Sequence, residues 1–203
     1  MQRISTKHAK RRFRAWRDAA GVPHIEADTW PTSIYALGYM HAVDRPTQML
    51  FARAVARGKA AERIANQPEL VETDKFFRKA ALYEDLDREV GLFDDKSFDL
   101  LTAYCQGVND GMRQTGRSLP MWAVGFKPKP WTQRAVLLIG RLLSFGGLVV
   151  DQQQAERLLI DIIQTGIDES RLRELWDGGL DGADFELLRK VKISRQLSDN
   201  ALE

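Results

Sequence analysis

The sequence predicts an α+β chain that is mostly α-helical and opens with a β-hairpin. Three observations carry this. Apolar residues recur at three- and four-residue steps, first through Ile34, Leu37, Met40, Val43, Thr47, Leu50 and Ala54, which is the spacing of one buried stripe on a helix. Near the start, two short runs rich in aromatic and branched residues flank a turn ending at Gly21. Proline and glycine then punctuate the helical segments at intervals, marking connectors rather than strands.

In chain order, Arg12–Arg17 leads through Asp18–Gly21 into Val22–Ala27, a strand, turn and strand. Pro23 suits a strand start, because it cannot donate to a central ladder. Asp28 or Thr29 is expected to cap the long helix that follows, with Pro31 tolerated in its first turn. Pro46 lies inside that segment and is expected to kink or restart it, since it removes a donor and crowds the preceding turn. The helix should stop at Gly58. Residues 66–96 read as polar and turn-rich. A second helix follows from the stripe Phe98, Leu101, Cys105, Val108 and Met112. Leu119 to Thr132 forms a proline-punctuated connector, and Thr132 caps a helix through Val136, Ile139, Leu142 and Leu143. The Gly146-Gly147 pair is expected to break it. Asp151 then caps a helix bearing Ala155, Leu158, Leu159, Ile162 and Ile163, closed by Gly166. A shorter helix lies around Leu172, Leu175 and Trp176. Three parts result: a basic leader over 1–11, a helical body over 12–177 and an irregular tail over 178–203.

The chain has 203 residues, 44% apolar and 29% charged, the make-up of an ordinary globular domain or of one piece of a larger one. A formal charge of +2 is too small to imply a polyanionic partner. The charge is uneven, however: Arg3, Lys7, Lys10, Arg11, Arg12, Arg14 and Arg17 all precede the first acidic residue, Asp18. No recognition module accompanies that arm, so it reads as a solvated leader and no nucleic-acid partner is expected. The single cysteine, Cys105, excludes an internal disulfide framework and falls on a helical stripe as a small core residue. No run of ~18 apolar residues is present, so membrane insertion is not expected. No apolar leader with a small-residue cleavage site follows Met1, so no signal peptide is expected. Localisation stays open between the cytoplasm and export with a leader removed.

No self-contained catalytic apparatus is visible. The sequence lacks a Gly-x-Ser-x-Gly elbow, a phosphate-cradling glycine loop and a His-Glu-x-x-His pair, and it has three histidines. His24, Glu26 and Asp28 share one face at strand spacing, as metal ligands would, but the same pattern describes a hydrogen-bonded polar face. His41, Asp44, Arg45 and Gln48 flank the first apolar stripe, and charges there need partners if they are buried.

The segment Gly38-Tyr39-Met40-His41-Ala42-Val43-Asp44-Arg45-Pro46-Thr47-Gln48-Met49 resembles a signature of the penicillin acylase (penicillin amidase) family of N-terminal-nucleophile hydrolases. That signature runs Gly-Tyr-x-x-Ala-x-Asp-Arg-x-x-Gln-Met in the family's first chain. Arg17-Asp18 through Gly21-Val22-Pro23-His24-Ile25-Glu26-Ala27 is similar to the family's opening. Further resemblances follow in the expected order at Arg53 through Gly58 to Glu62, Asp74 to Arg78, Ala103-Tyr104 through Gly107-Val108-Asn109, and the Leu119-Pro120 to Trp131 connector. Relatives carry an apolar residue where Pro46 stands, and beyond residue 131 the likeness is weak.

The resemblance implies a four-layer αββα fold of the N-terminal-nucleophile type, completed by a second chain. In that reading this chain is the smaller alpha subunit of an autoprocessed amide hydrolase acting on an N-acyl amide. The nucleophile is the N-terminal Ser of the separate beta chain, whose α-amino group serves as base. This chain would shape the acyl pocket. Laid on from Gly140, the family's gating Met, Arg and Phe positions fall on Leu142, Phe145 and Gly146, and a slip of one puts the Phe on Phe145; either way the Arg is absent, which implies a more open, more apolar pocket. No cofactor is required, and a structural calcium would take Glu156 as one ligand. Two alternatives remain at this point: a non-catalytic helical interaction scaffold, and a degenerate family member that binds an acyl group without turnover.

Overall fold

The computed structural model describes residues 12–117, 119–123, 125, 129–176 and 180–192. The basic leader and the end of the expected tail lie outside the described residues. The chain divides into two compact units, Met1–Leu143 and Ser144–Glu203.

The first unit opens with an antiparallel hairpin, β1 (Phe13–Arg17) and β2 (Pro23–Ala27), in a register that pairs Phe13 with Ala27 and Arg17 with Pro23. Asp18 closes the turn, its Oδ1 accepting from the N–H groups of Ala20 at 3.0 Å and Val22 at 2.9 Å. Gly21 takes φ +80°, which an L side chain rarely adopts. Phe13 and Ala15 face inward, and Phe13 meets Tyr35 and Tyr39 edge-on with centroids 6.1 and 5.8 Å away.

Thr29 caps α1 (Trp30–Asp44), its hydroxyl accepting from the Thr32 N–H at 3.4 Å, with Pro31 in the first turn as expected. The helix ends at Arg45, and Pro46 starts α2 (Pro46–Ala56). The proline therefore restarts the helix, giving two helices where one periodic stripe is read from the sequence. The buried face of α1 also differs from that stripe. It is made of Tyr35, Ala36, Gly38, Tyr39, Met40 and Ala42, while Leu37 is exposed. The cause is the neighbour: α1 packs along α6 (Asp95–Thr115), where small residues let the backbones approach.

After α2, Gly58 at φ +60° turns the chain into α3 (Ala60–Arg63). Residues expected to be turn-rich instead form α4 (Pro68–Ala80) and α5 (Leu86–Val90). Their polar surface hides the helical period, since α4 buries Asp74 and no apolar residue fully. Asp74 is 4% exposed, and its two oxygens accept from the N–H groups of Ala60 at 2.6 Å and Ala61 at 2.9 Å. A buried carboxylate thus satisfies the orphan donors at the start of α3.

On α6 the buried residues are Ala103, Cys105, Gly107, Val108 and Gly111, with Phe98 exposed. A Cβ added at Gly107 would collide with the Tyr35 carbonyl oxygen, and one at Gly38 with that of Tyr104. A Cβ at Gly111 would lie 2.6 Å from the Tyr39 carbonyl oxygen. Tyr35 Oη donates to Asp110 at 2.6 Å and Tyr39 Oη donates to Gln114, tying the same two helices through their rims. Beyond α6 come α7 (Leu119–Ala123) and α8 (Gln133–Ser144), where the N–H groups of Ala135 and Val136 donate to the Thr132 carbonyl. Val124 and residues 126–128 of the expected connector lie outside the described residues.

In the second unit, Phe145–Val149 is a π-helical turn leading into α9 (Val150–Gln164). The glycine pair widens the helix there and does not break it. A glycine inside a helix costs about 1 kcal/mol, which is too little to stop one by itself. Because hydrogen bonding continues from the turn before, Asp151 sits in the first turn of α9 without capping it. Helices α10 (Glu169–Leu175) and α11 (Phe185–Lys190) complete the unit around Ile163, Leu172, Leu180 and Phe185. The stretch expected to be irregular thus contains a helix, capped by Asp184 and anchored by Phe185. Three apolar positions in so short a run give no readable period.

By length and composition alone, the helical stretch Gln133–Gln164 is apolar enough to cross a membrane, and 11% of its most apolar window is buried. This differs from the sequence expectation because Arg134, Arg141 and Asp151 interrupt the apolar run without outweighing it.

Candidate functional site

The three residues expected to shape an acyl pocket are placed as follows. Leu142 sits on α8 and is half-buried against the cluster of Ala56, Leu86 and Leu138, together with Leu82 and Leu137. Phe145, half-buried, begins the π turn, and Gly146 is exposed with open space where a side chain would be. Leu142 belongs to the first unit, and the other two to the second. A π turn is a wide, irregular piece of helix that recurs at functional positions. Helix α8 is held by Arg141, which donates to the carbonyls of Leu82 and Glu84, both at 2.7 Å, and pairs with Glu89.

The polar residues of the first signature are brought to one end of α1. Arg17 pairs with Asp44 and donates to Gly21 O at 3.0 Å, so the hairpin is tied to the break between α1 and α2. His41 Nδ1 lies 2.9 Å from Tyr104 Oη. Burial, then the Arg45 charge, holds the His41 imidazole below its ordinary value of 6.5, with Asp44 opposing. Burial pushes the Tyr104 phenol up to about 12, so it keeps its proton. With the phenol protonated, the neutral imidazole accepts from it. Arg45 itself is exposed.

His24 Nε2 is 3.0 Å from Asp18 Oδ2 and stacks on Trp16, while Glu26 pairs with Arg14 at 3.4 Å. The strand face read as a possible ligand set is a hydrogen-bonded polar face. Among the described residues neither His24 nor His41 hydrogen-bonds to a serine or a cysteine, so neither activates a nucleophile through these bonds. The Cys105 thiol is buried and raised to about 12, the behaviour of an inert core thiol. Glu156 is exposed on α9 and accepts from Gln152 at 2.6 Å. Among the described residues no group of three or more His, Cys, Asp or Glu is arranged to hold a metal. One exposed carboxylate does not make a calcium site, which needs six or more oxygens.

Sequence reasoning missed a cleft of about 280 Å³ in the first unit, lined by α2, α3, residues 129–135 and Leu138 of α8. Arg53, Arg57, Lys59, Arg63, Lys129 and Arg134 point to it. The clustering of the first four in sequence was the available signal. Arg53 donates to the carbonyls of Lys129 at 2.9 Å and Pro130 at 3.1 Å and lies 4.8 Å over the Trp131 ring.

The sequence profile describing penicillin amidase matches residues 14–185. The chain belongs to the penicillin amidase family. Among members of the penicillin amidase family, it is 32% identical to acyl-homoserine lactone acylase QuiP of Pseudomonas aeruginosa over 146 residues, which is 71% of this chain and 17% of the relative. It is 35% identical to penicillin acylase 2 proenzyme of a Pseudomonas species over 120 residues, 58% of this chain and 15% of that protein. It thus spans less than a fifth of the length of either. The structure resembles that of a thermostable penicillin G acylase from Alcaligenes faecalis, with a TM-score of 0.62 and 22% identity. That likeness covers 92% of this chain and 95% of the solved one. The hairpin and the helical order of a penicillin amidase chain are therefore those described above.

Proposed function

We propose that this chain is the smaller alpha subunit of a two-chain amide hydrolase that cleaves, or transfers, the acyl group of an N-acyl amide. The observation that carries the reading is the family match over residues 14–185. A second chain is supported by a relative that is named a proenzyme. Exposed apolar side chains, Leu119, Trp122 and Leu143 in the first unit and Leu148 and Leu158 in the second, supply surface for a partner to bury.

In this reading residues 1–203 are the alpha chain, and the beta chain completes a four-layer αββα fold. The beta chain's N-terminal Ser attacks the amide carbonyl, and its own α-amino group takes the hydroxyl proton, titrating near neutrality as such amines do. The amine leaves and water releases the acid. Leu142, Phe145 and Gly146 border the acyl group, with Gly146 leaving room that a side chain would fill. The names of the relatives make an N-acyl-homoserine lactone the first substrate to try. Glu156 would contribute one oxygen to a calcium only if the beta chain brought the others.

The test is denaturing mass analysis of the protein purified from its native gene, with N-terminal sequencing of every chain. A second, larger chain beginning with Ser, and release of homoserine lactone from its N-acyl derivative, are expected. This chain purifying alone, folded and monomeric, overturns the reading.

A further inference from the structure

We propose that the basic cleft of the first unit binds a compact organic carboxylate. Six cations line it, Arg53, Arg57, Lys59, Arg63, Lys129 and Arg134, and none of the described lining residues is an Asp or Glu. The neighbouring acids do not neutralise this set. Glu62 is shared between Lys59 at 3.5 Å and Arg63 at 3.9 Å and also reaches Arg78, and Asp87 pairs with Arg134 at 3.2 Å. Arg57 and Lys129 form no ion pair among the described residues.

Like charges gathered without counter-charges repel one another, and an anion seated among them relieves that repulsion. Burial, and after it the charges of Arg57 and Arg63, bring the Arg53 guanidinium down to about 10. Its hydrogen bonds to two carbonyls and its position over Trp131 hold it in place, so the site is rigid on that side.

The floor decides the class of anion. Leu50, Leu86 and Leu138 line the same cleft, with the Tyr83 ring beside them. A bare inorganic anion gains nothing from apolar walls, whereas a carboxylate carried on a ring or a short alkyl group uses both surfaces. A volume of about 280 Å³ suits a ligand of that size. A guanidinium such as that of Arg57 meets a carboxylate through two parallel hydrogen bonds.

The probe is 4-fluorobenzoate, followed by fluorine NMR line broadening on the protein as purified from its native gene, with any accompanying chain. Saturable binding is expected, weakening as salt is raised. The Arg57→Gln, Lys129→Gln double variant should weaken it about tenfold or more, since charge-assisted bonds are lost. Both side chains are exposed, and removing them relieves repulsion, so the thermal midpoint should not fall. No saturable binding, unchanged binding in the double variant, or equal affinity for inorganic phosphate would each overturn the proposal. Amide hydrolysis is measured separately, so loss of that activity and loss of this site are distinguishable.

Discussion

Asn109 clamps the backbone of Trp131 from both sides. Its Nδ2 donates to the Trp131 carbonyl at 2.9 Å and its Oδ1 accepts from the Trp131 N–H at 2.7 Å. A side-chain amide thus substitutes for a strand neighbour, fixing residue 131 ahead of α8 with its ring 3% exposed. Asn109→Ala leaves two backbone groups without their partner and should cost roughly 2–3 kcal/mol, read from urea unfolding. Asn109→Asp keeps the acceptor but loses the donor, and should fall between the two. A cost below about 0.5 kcal/mol would show that solvent replaces the clamp.

Gly107→Ala should be far worse than its change in size suggests. The added methyl meets the Tyr35 carbonyl and would crowd the Tyr39 nitrogen at 2.9 Å, both backbone atoms that cannot rotate away. Separating α1 from α6 costs upwards of about 3 kcal/mol at such a site. The measurement is the thermal midpoint, with Gly140→Ala as control: nothing lies within 4 Å of a Cβ there, so α8 should be unharmed.

The hairpin and the α1–α2 break were legible because single residues dictate them: Asp18 and Gly21 make the turn, and Pro46 forces the restart. The inward face of α1 was not, because hydropathy counts apolar side chains whereas this face is built of Tyr35, Gly38 and Tyr39. Glycine contributes nothing to a periodic stripe, yet here it sets the distance between helices. The basic cleft was half-legible. Arg53, Arg57, Lys59 and Arg63 are neighbours in sequence, but Lys129 and Arg134 join them only through the fold. Leu142 and Phe145 came from family resemblance alone, since an apolar residue on a helix is most often core.

Acid should loosen the first unit through His41. Its folded imidazole titrates below the unfolded value of 6.5, so the folded state binds fewer protons than the unfolded one. The contribution is fully present above about pH 6.5 and is lost as pH falls through that value toward the folded one. The unfolding midpoint should therefore fall between about pH 7 and 5, and His41→Gln should flatten that segment. An identical pH profile in the variant would remove His41 as the cause.

Phe145→Ala tests the acyl pocket. In the two-chain enzyme proposed above, hydrolysis of a series of N-acyl amides of increasing chain length should shift toward bulkier or longer acyl groups. The change in kcat/KM between neighbouring members should be of the order of tenfold, the worth of a methylene or two in an apolar pocket. An unchanged preference with unchanged stability would place the ring outside the pocket.

The close seam of Gly38, Gly107 and Gly111 sets a limit on how this molecule can diverge. Most helix pairs drift gradually, exchanging Val for Ile or Ala for Ser and shifting by tenths of an ångström. Here the spacer is hydrogen, and no smaller step exists in either direction. The α1–α6 pair is accordingly a fixed gauge, and variety in what the protein accepts has to be written elsewhere in the chain.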